Sequence, residues 1–352
     1  MKDFLVITAF RDTGDPYRRR NLSACIGSVS RNFPEADHVV AVQGDTVPGD
    51  FPGVSVFHVR DIPADGLFHK PMLLNRAVES FPGRKLYVMV DADVYLERSL
   101  SGYAMSEGGE GRLVFPYGDT VYMDEMDTRR LLSGKGLWPG EKDHGVTIRR
   151  QTGLTVAFTY NDFMAVRGFD REFAGWGAED DAFMYKFIRS GRRVVRNPSR
   201  EAVAYHMFHP KVNTREYTSG VVYRKNRVYC ACVRRMSDAD FAGYLRGESG
   251  LDPLVAKYRE LGRLEVSLDW PIVRKDLAAG VKDDVVLHMD TTIYDIPRDR
   301  GMSIDLVLSA VEREDGPEGV VEFIDGVLGK IPGLPGDVRA DIGRWRAACT
   351  GS

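Results

Sequence analysis

Short apolar runs and helical stripes alternate along the first hundred residues. Phe4 to Ala9 is an apolar-rich run of strand length, and after the turn at Gly14-Asp15-Pro16 the positions Leu22, Ile26, Val29 and Phe33 recur at helical spacing. His38–Val42 and Val54–Val59 are strand-like runs bounded by Gly, Pro and Asp. Leu74, Ala77, Val78 and Phe81 form a second helical stripe, which Pro82-Gly83 stops. Leu86 to Val90 is continuously apolar, as a strand covered on both faces requires. Strands alternating with helices predict an α/β fold with a doubly wound, mostly parallel sheet, whose ligands sit beyond the carboxyl ends of its strands.

From about Gly102 to Gly153 the pattern is irregular and rich in Gly, Asp and Arg, which reads as a long loop, either a functional lid or a mobile surface loop. Trp138, flanked by Gly136 and Gly140, would let it close as a lid over a bound substrate. Periodicity returns at Leu154–Phe158 and Phe163–Val166, and a helix is expected from near Asp180, with Phe183, Phe187 and Ile188 on one face and Gly191 past its end. Beyond about Cys232 three helical stripes follow: Val255, Tyr258 and Leu261; Ile304, Leu308 and Val311; and Val320, Ile324, Val327 and Leu328. Residues 1–232 are therefore expected to form one domain and 233–352 a helical C-terminal extension.

Composition narrows the function classes. A chain of 352 residues is long enough for two domains at about 150 residues each. With 48 Lys+Arg against 51 Asp+Glu the net charge is −3, which gives no general attraction to nucleic acid or anionic membrane. The basic clusters Arg18-Arg19-Arg20 and Arg192-Arg193 read as solvated faces. Four scattered cysteines make no disulfide framework and fit reduced thiols. The N-terminal apolar run is too short for a signal peptide, and no segment reaches the roughly 20 apolar residues of a membrane span. A soluble, cytoplasmic protein is the expectation. No GxGxxG or GxxxxGK[ST] follows the first strand and no HExxH occurs, so dinucleotide binding, ATP hydrolysis and zincin chemistry are disfavoured.

Three constellations carry chemistry. Asp91-Ala92-Asp93 follows the buried strand, where a rigid sheet could aim two carboxylates at a hard divalent cation. The chain supplies a control in Asp238-Ala239-Asp240, which follows Ser237 and reads as a capped helix start. The second constellation is Gly175-Trp176-Gly177-Ala178-Glu179-Asp180-Asp181: the acids suit a helix N-terminus, the glycines allow close backbone approach, and Trp176 offers a stacking face. The third is His206-Met207-Phe208-His209, whose two imidazoles three apart could share one Mn, Zn or Fe ion.

In order and spacing these motifs resemble the GT-A glycosyltransferases of the β-1,4-galactosyltransferase and chondroitin-synthase group, over about Phe4 to Pro210. The resemblance implies a GT-A-like fold with a nucleotide-binding half at 1–100 and an acceptor half at 101–232. Ala9-Phe10-Arg11 resembles the segment that cradles uracil and ribose, and Lys70 the basic residue that contacts the nucleotide. Asp91 then reaches the ribose, Asp93 and His209 ligate Mn²⁺ or Mg²⁺, and His206 joins them at a position where some relatives use another ligand. Asp180 is implied as the general base, Glu179 as the residue holding the acceptor, and Trp176 as a stacking platform. Ala178 stands where relatives often have a second glycine.

The implied activity is metal-dependent transfer of a sugar, with inversion at the anomeric carbon, from a nucleotide-sugar, UDP preferred, to a hydroxyl of a glycan, protein or other acceptor. A nucleic-acid acceptor is disfavoured by the net charge of −3. A retaining transferase, a nucleotidyltransferase on the same fold and a non-catalytic sugar-binding module are the alternatives. The module would leave the three motifs without a common purpose, and the nucleotidyltransferase would not need the Gly-Trp-Gly-acid block.

Overall fold

The computed structural model describes residues 2–46, 49, 51–96, 98–134, 146–149, 152–199, 201–210, 221–260, 304–326, 328 and 336–351. They belong to two compact units, Met1–Lys211 and Val212–Ser352.

The first unit begins with β1 (Phe4–Arg11), whose six central residues are all buried. Helix α1 (Pro16–Asn32) starts where Asp15 accepts the Tyr17 N–H and Pro16 occupies the first turn, where a missing N–H costs nothing. Strands β2 (Ala36–Gln43) and β3 (Val54–Val59) add parallel to β1 in chain order. Helix α2 (Lys70–Ser80) returns the chain to β4 (Leu86–Val90), which pairs with the other side of β1. These elements fall where the hydrophobic pattern puts them.

The stretch 102–153 departs from its reading as one long loop. Among its described residues lie most of α3 (Arg98–Glu107), β6 (Arg112–Phe115), β7 (Asp119–Tyr122), α4 (Glu125–Leu132) and β8 (Val146–Arg149). Short strands of four residues carry too few alternations to stand out against the Gly-rich turns between them. Trp138 and its flanking glycines lie outside the described residues.

Between β4 and α3 the chain makes β5 (Val94–Leu96), and after β8 come β9 (Thr155–Phe158), α5 (Tyr160–Ala165), α6 (Glu179–Arg189), β10 (Arg193–Arg196) and β11 (Val203–His206). A seven-stranded sheet has the order β10-β6-β9-β4-β1-β2-β3, parallel except that β9 runs antiparallel between β4 and β6. A second sheet, β5-β11-β7-β8, was not expected from the sequence. Its β5 continues from β4 through residues 91–93, so the turn bearing Asp91 and Asp93 joins the two sheets.

In α6, Phe183 and Phe187 are buried as expected, with Phe183 stacked on Phe169 at 3.9 Å between ring centroids, whereas Ile188 is half exposed. The apolar stripe of this helix is narrower than its sequence suggested.

The second unit is helical in its described residues: α7 (Val221–Arg235), α8 (Asp238–Leu245), α9 (Leu251–Glu260), α10 (Ile304–Gly326, bent at Gly316) and α11 (Gly336–Thr350). Residue 232 lies inside α7, so the expected limit at 232 cuts a helix, and the compact units divide at 211/212 instead. The Asp238-Ala239-Asp240 control behaves as read: Ser237 caps α8 by accepting the Asp240 N–H. No helix among the described residues is long and apolar enough to cross a membrane.

Candidate active site

Sheet pairing brings the first and third constellations together. In the antiparallel β5/β11 pair, Val94 stands opposite His206, and the Met207 N–H donates to the Asp93 carbonyl at 2.8 Å. Asp93 and the two histidines are thereby adjacent although more than a hundred residues separate them in sequence. Asp93 Oδ2 lies 3.2 Å from His209 Nε2 and 3.5 Å from His206 Nε2. One ligand atom from each residue falls within 4.8 Å of the others, a separation compatible with one cation between them. A carboxylate with two imidazoles suits a borderline divalent ion such as Mn²⁺. Burial pushes the Asp93 carboxyl up, but the charge of His206 and the hydrogen bond from His209 outweigh it and hold the group below the usual carboxylate range.

Several groups hold this cluster in place. Tyr122 stacks on the His206 ring at 4.6 Å between centroids. Between the histidines, the Phe208 N–H donates to Thr128 Oγ1 at 2.8 Å, and the Phe208 carbonyl accepts from Arg20 at 2.9 Å and Asn21 at 3.0 Å. Arg20 is therefore a partly buried brace rather than a purely solvated charge, and Arg192, also partly buried, donates to Asp162 at 2.7 Å. Nothing local in the sequence marks Tyr122, Thr128 or Asn21 for this role, because their partners are remote in the chain.

Beside the cluster, Lys70 unites the first and second constellations. Its Nζ lies 2.9 Å from Asp91, 3.0 Å from Asp180 and 3.3 Å from Glu179. Gln43, at the end of β2, prepares this geometry by donating to the Leu67 carbonyl and accepting the His69 N–H just before α2. Burial works against the charge on Lys70, yet Asp180, Asp91 and Glu179 together keep its pKa well above the ordinary lysine value. One ammonium faces three carboxylates, so the acids stay underneutralised. Burial pushes Asp180 up to about 8, with Glu179 and Asp91 adding to the rise and Lys70 opposing it. Asp91 moves up for the same leading reason.

Glu179 and Asp180 open α6, where free amides and the helix dipole favour negative charge. The backbone before them turns through left-handed conformations at Gly175, Gly177 and Ala178, and at Ala178 (φ 68°) a side chain tolerates this poorly. Trp176, between the glycines, is 47% exposed. A further residue escaped the sequence reading: Gly153 borders the same cleft as Lys70, Asp91 and Asp180, and its carbonyl accepts from the Tyr117 hydroxyl at 2.8 Å.

The Ala9-Phe10-Arg11 segment ends β1 on the expected side of the sheet, but Phe10 is 4% exposed and packs with Leu22, Ile26, Val40 and Val42. Its ring belongs to the core, and Ala9 is buried too. Arg11 is partly exposed and donates to the Gly66 carbonyl.

Residues 144–222, which hold the Gly-Trp-Gly-acid block and both histidines, match the family model described as the N-terminal domain of galactosyltransferase. Over this stretch the chain is similar to that family. Its expected likeness to the galactosyltransferase and chondroitin-synthase group of glycosyltransferases stands. Mouse chondroitin sulfate synthase 3 is 27% identical over 150 residues, covering 42% of this chain and 17% of the relative. Mouse chondroitin sulfate N-acetylgalactosaminyltransferase 1 is 33% identical over 73 residues, 19% of this chain and 13% of the relative. The chain thus spans less than a fifth of the length of these curated relatives. Among solved structures, a mutant of Drosophila β1,4-galactosyltransferase 7 in complex with manganese, UDP-Gal and xylobiose aligns over 59% of this chain and 72% of its own, at 14% identity and a TM-score of 0.38.

Proposed function

We propose that this protein is a metal-dependent glycosyltransferase that moves a sugar from a nucleotide-sugar, UDP-linked in preference, to an acceptor hydroxyl with inversion at the anomeric carbon. The observation that carries the reading is the continuous polar cluster running from His209 and His206 through Asp93 to Asp91, Lys70 and Asp180. The reading is supported by the position of this cluster, whose Asp91 and Asp93 directly follow β4 at its carboxyl end, where ligands of such folds bind.

A divalent ion held by Asp93, His206 and His209 would supply charge neutralisation for a departing diphosphate. Lys70, already beside Asp91, adds positive charge on the nucleotide side. Asp180 takes the proton of the attacking hydroxyl; a carboxylate with a raised pKa is a stronger base than an ordinary one and is suited to an alcohol near neutral pH. Glu179 accepts a hydrogen bond from the acceptor sugar, and Trp176, exposed at the loop, offers it an aromatic face. Asp91 binds the ribose hydroxyls, while Ala9 and Phe10 serve through backbone and shape, since both side chains are buried. A reducing, cytoplasmic setting belongs to this reading and is supported by the free thiols of Cys25, Cys230 and Cys232.

The test is incubation with a panel of nucleotide-sugars, Mn²⁺ and simple glycosides, followed by mass spectrometry and proton NMR of the product. Release of UDP with an inverted anomer supports the proposal. A retained anomer removes the base role of Asp180, and release of the sugar 1-phosphate in place of UDP points to nucleotidyl transfer.

A further inference from the structure

The loop that carries the acid block is tied down from two sides by buried polar groups that take no part in the chemistry above. Asn75, on α2 and 4% exposed, donates from Nδ2 to the Phe169 carbonyl at 2.8 Å and accepts the Phe169 N–H at 2.9 Å. One side chain thus satisfies both backbone groups of one residue, as a neighbouring strand would. Further along the loop, the Gly175 N–H donates to the Phe68 carbonyl at 2.8 Å, two residues before α2 begins. From the other side Lys186, fully buried on α6, donates to the Gly168 carbonyl and to Asp170 Oδ1 at 2.8 Å.

Asn75 shares its helix with Lys70, and Lys186 shares its helix with Asp180. The contacts therefore close a ring from Lys70 along α2 to Asn75, through the Gly168–Asp170 backbone to Lys186, along α6 to Asp180 and back to Lys70 at 3.0 Å. Gly168 makes the tight crossing feasible, because a Cβ there would stand 2.7 Å from Asn75 Oδ1. A buried ion pair is seldom more stabilising than apolar residues of equal volume, since both charges lose their water. What such a ring supplies is a single geometry, and catalytic groups lose rate steeply when displaced by an ångström.

We propose that Asn75 and Lys186 are positioning residues that fix the Asp180 carboxylate against Lys70. The inference rests on Asp180 being the base of the proposed transfer, and its test has a readout that needs no turnover. The titratable groups facing the Asp180 carboxyl are Lys70, Glu179, Asp91 and the neutral Tyr117, and of these only Lys70 carries a charge that favours its ionised form. Loosening the ring therefore raises the protonation midpoint of Asp180.

Carboxyl-carbon NMR of the full chain would follow Asp180 in Asn75→Ala, Lys186→Met and the conservative Lys186→Arg. The expected result is a rise of about half a pH unit or more, roughly threefold in proton affinity, in the first two variants and a smaller rise in Lys186→Arg. In the transfer assay kcat falls about tenfold or more, the donor KM changes less than about threefold, and the acid limb of the pH profile moves up. An unshifted Asp180 titration in a folded variant, even one with a lowered thermal midpoint, overturns the proposal. If Asn75→Ala does not fold, the Lys186 pair decides. A shifted titration in a chain whose parent transfers no sugar sinks the glycosyltransferase reading while leaving the anchoring intact.

Discussion

Gly153 lies so close to Asp180 that a Cβ on Gly153 would stand 2.4 Å from the carboxylate oxygen. Its φ of +90° independently disfavours a side chain. Gly153→Ala is expected to push Asp180 off Lys70 and to destabilise the fold by about 1–3 kcal/mol. Urea denaturation measures the second effect, and loss of transfer beyond the lost folded fraction measures the first.

Ala178 has the opposite problem, a side chain where the backbone would prefer none. Relief of its left-handed conformation should make Ala178→Gly about 0.5–1 kcal/mol more stable. Urea midpoints of the two proteins test this. An unchanged midpoint would mean that the helix start pays for Gly flexibility as much as it gains.

The raised pKa of Asp180 links stability to pH with a definite sign. The unfolded chain releases this proton near pH 4 and the folded chain near pH 8, so the stability tied to the protonated carboxyl is complete below pH 4 and lost as pH rises towards 8. Asp180→Asn removes that dependence. Because the side chain keeps 21% of its surface open, the gain at pH 8 over pH 4 relative to the parent is expected at about 1–3 kcal/mol. Thermal midpoints of both proteins across this range measure it, while transfer is lost in the variant at every pH.

Lys70→Met leaves Asp91, Glu179 and Asp180 facing one another without their shared cation. The cost is expected to be about 3 kcal/mol at pH 8 and clearly smaller at pH 5, where the acids can take up protons. Equal losses at the two pH values, by urea unfolding, would show that Lys70 contributes packing rather than charge.

How far the sequence foretold this arrangement depended on the range of the interactions involved. The run Leu86–Val90 and the stripe Leu22, Ile26, Val29 foretold β4 and α1 because burial on two faces or one face leaves a periodic trace. The strands β6, β7 and β8 left almost none, being four residues each. Asp93, His206, His209 and Asp180 were legible through residue type and their resemblance to known motifs. Lys70 was singled out only by resemblance to a nucleotide-contacting segment, and its place among three carboxylates was not legible, because that depends on where α2 and α6 pack. Gly153, Tyr122 and Asn75 matter through contacts to residues distant in the chain, and no local pattern announces such contacts.

One cation would join Asp93, His206 and His209, and a nucleoside diphosphate would bind through it. Calorimetric titration of UDP into the protein with Mn²⁺, and again after chelation, tests this most directly when the same pair of titrations is run on Asp93→Asn. One UDP site is expected in the parent, with affinity falling at least about tenfold on chelation, and the variant is expected to bind weakly in both conditions. UDP affinity that is indifferent to Mn²⁺, or a variant that binds as the parent does, would contradict it.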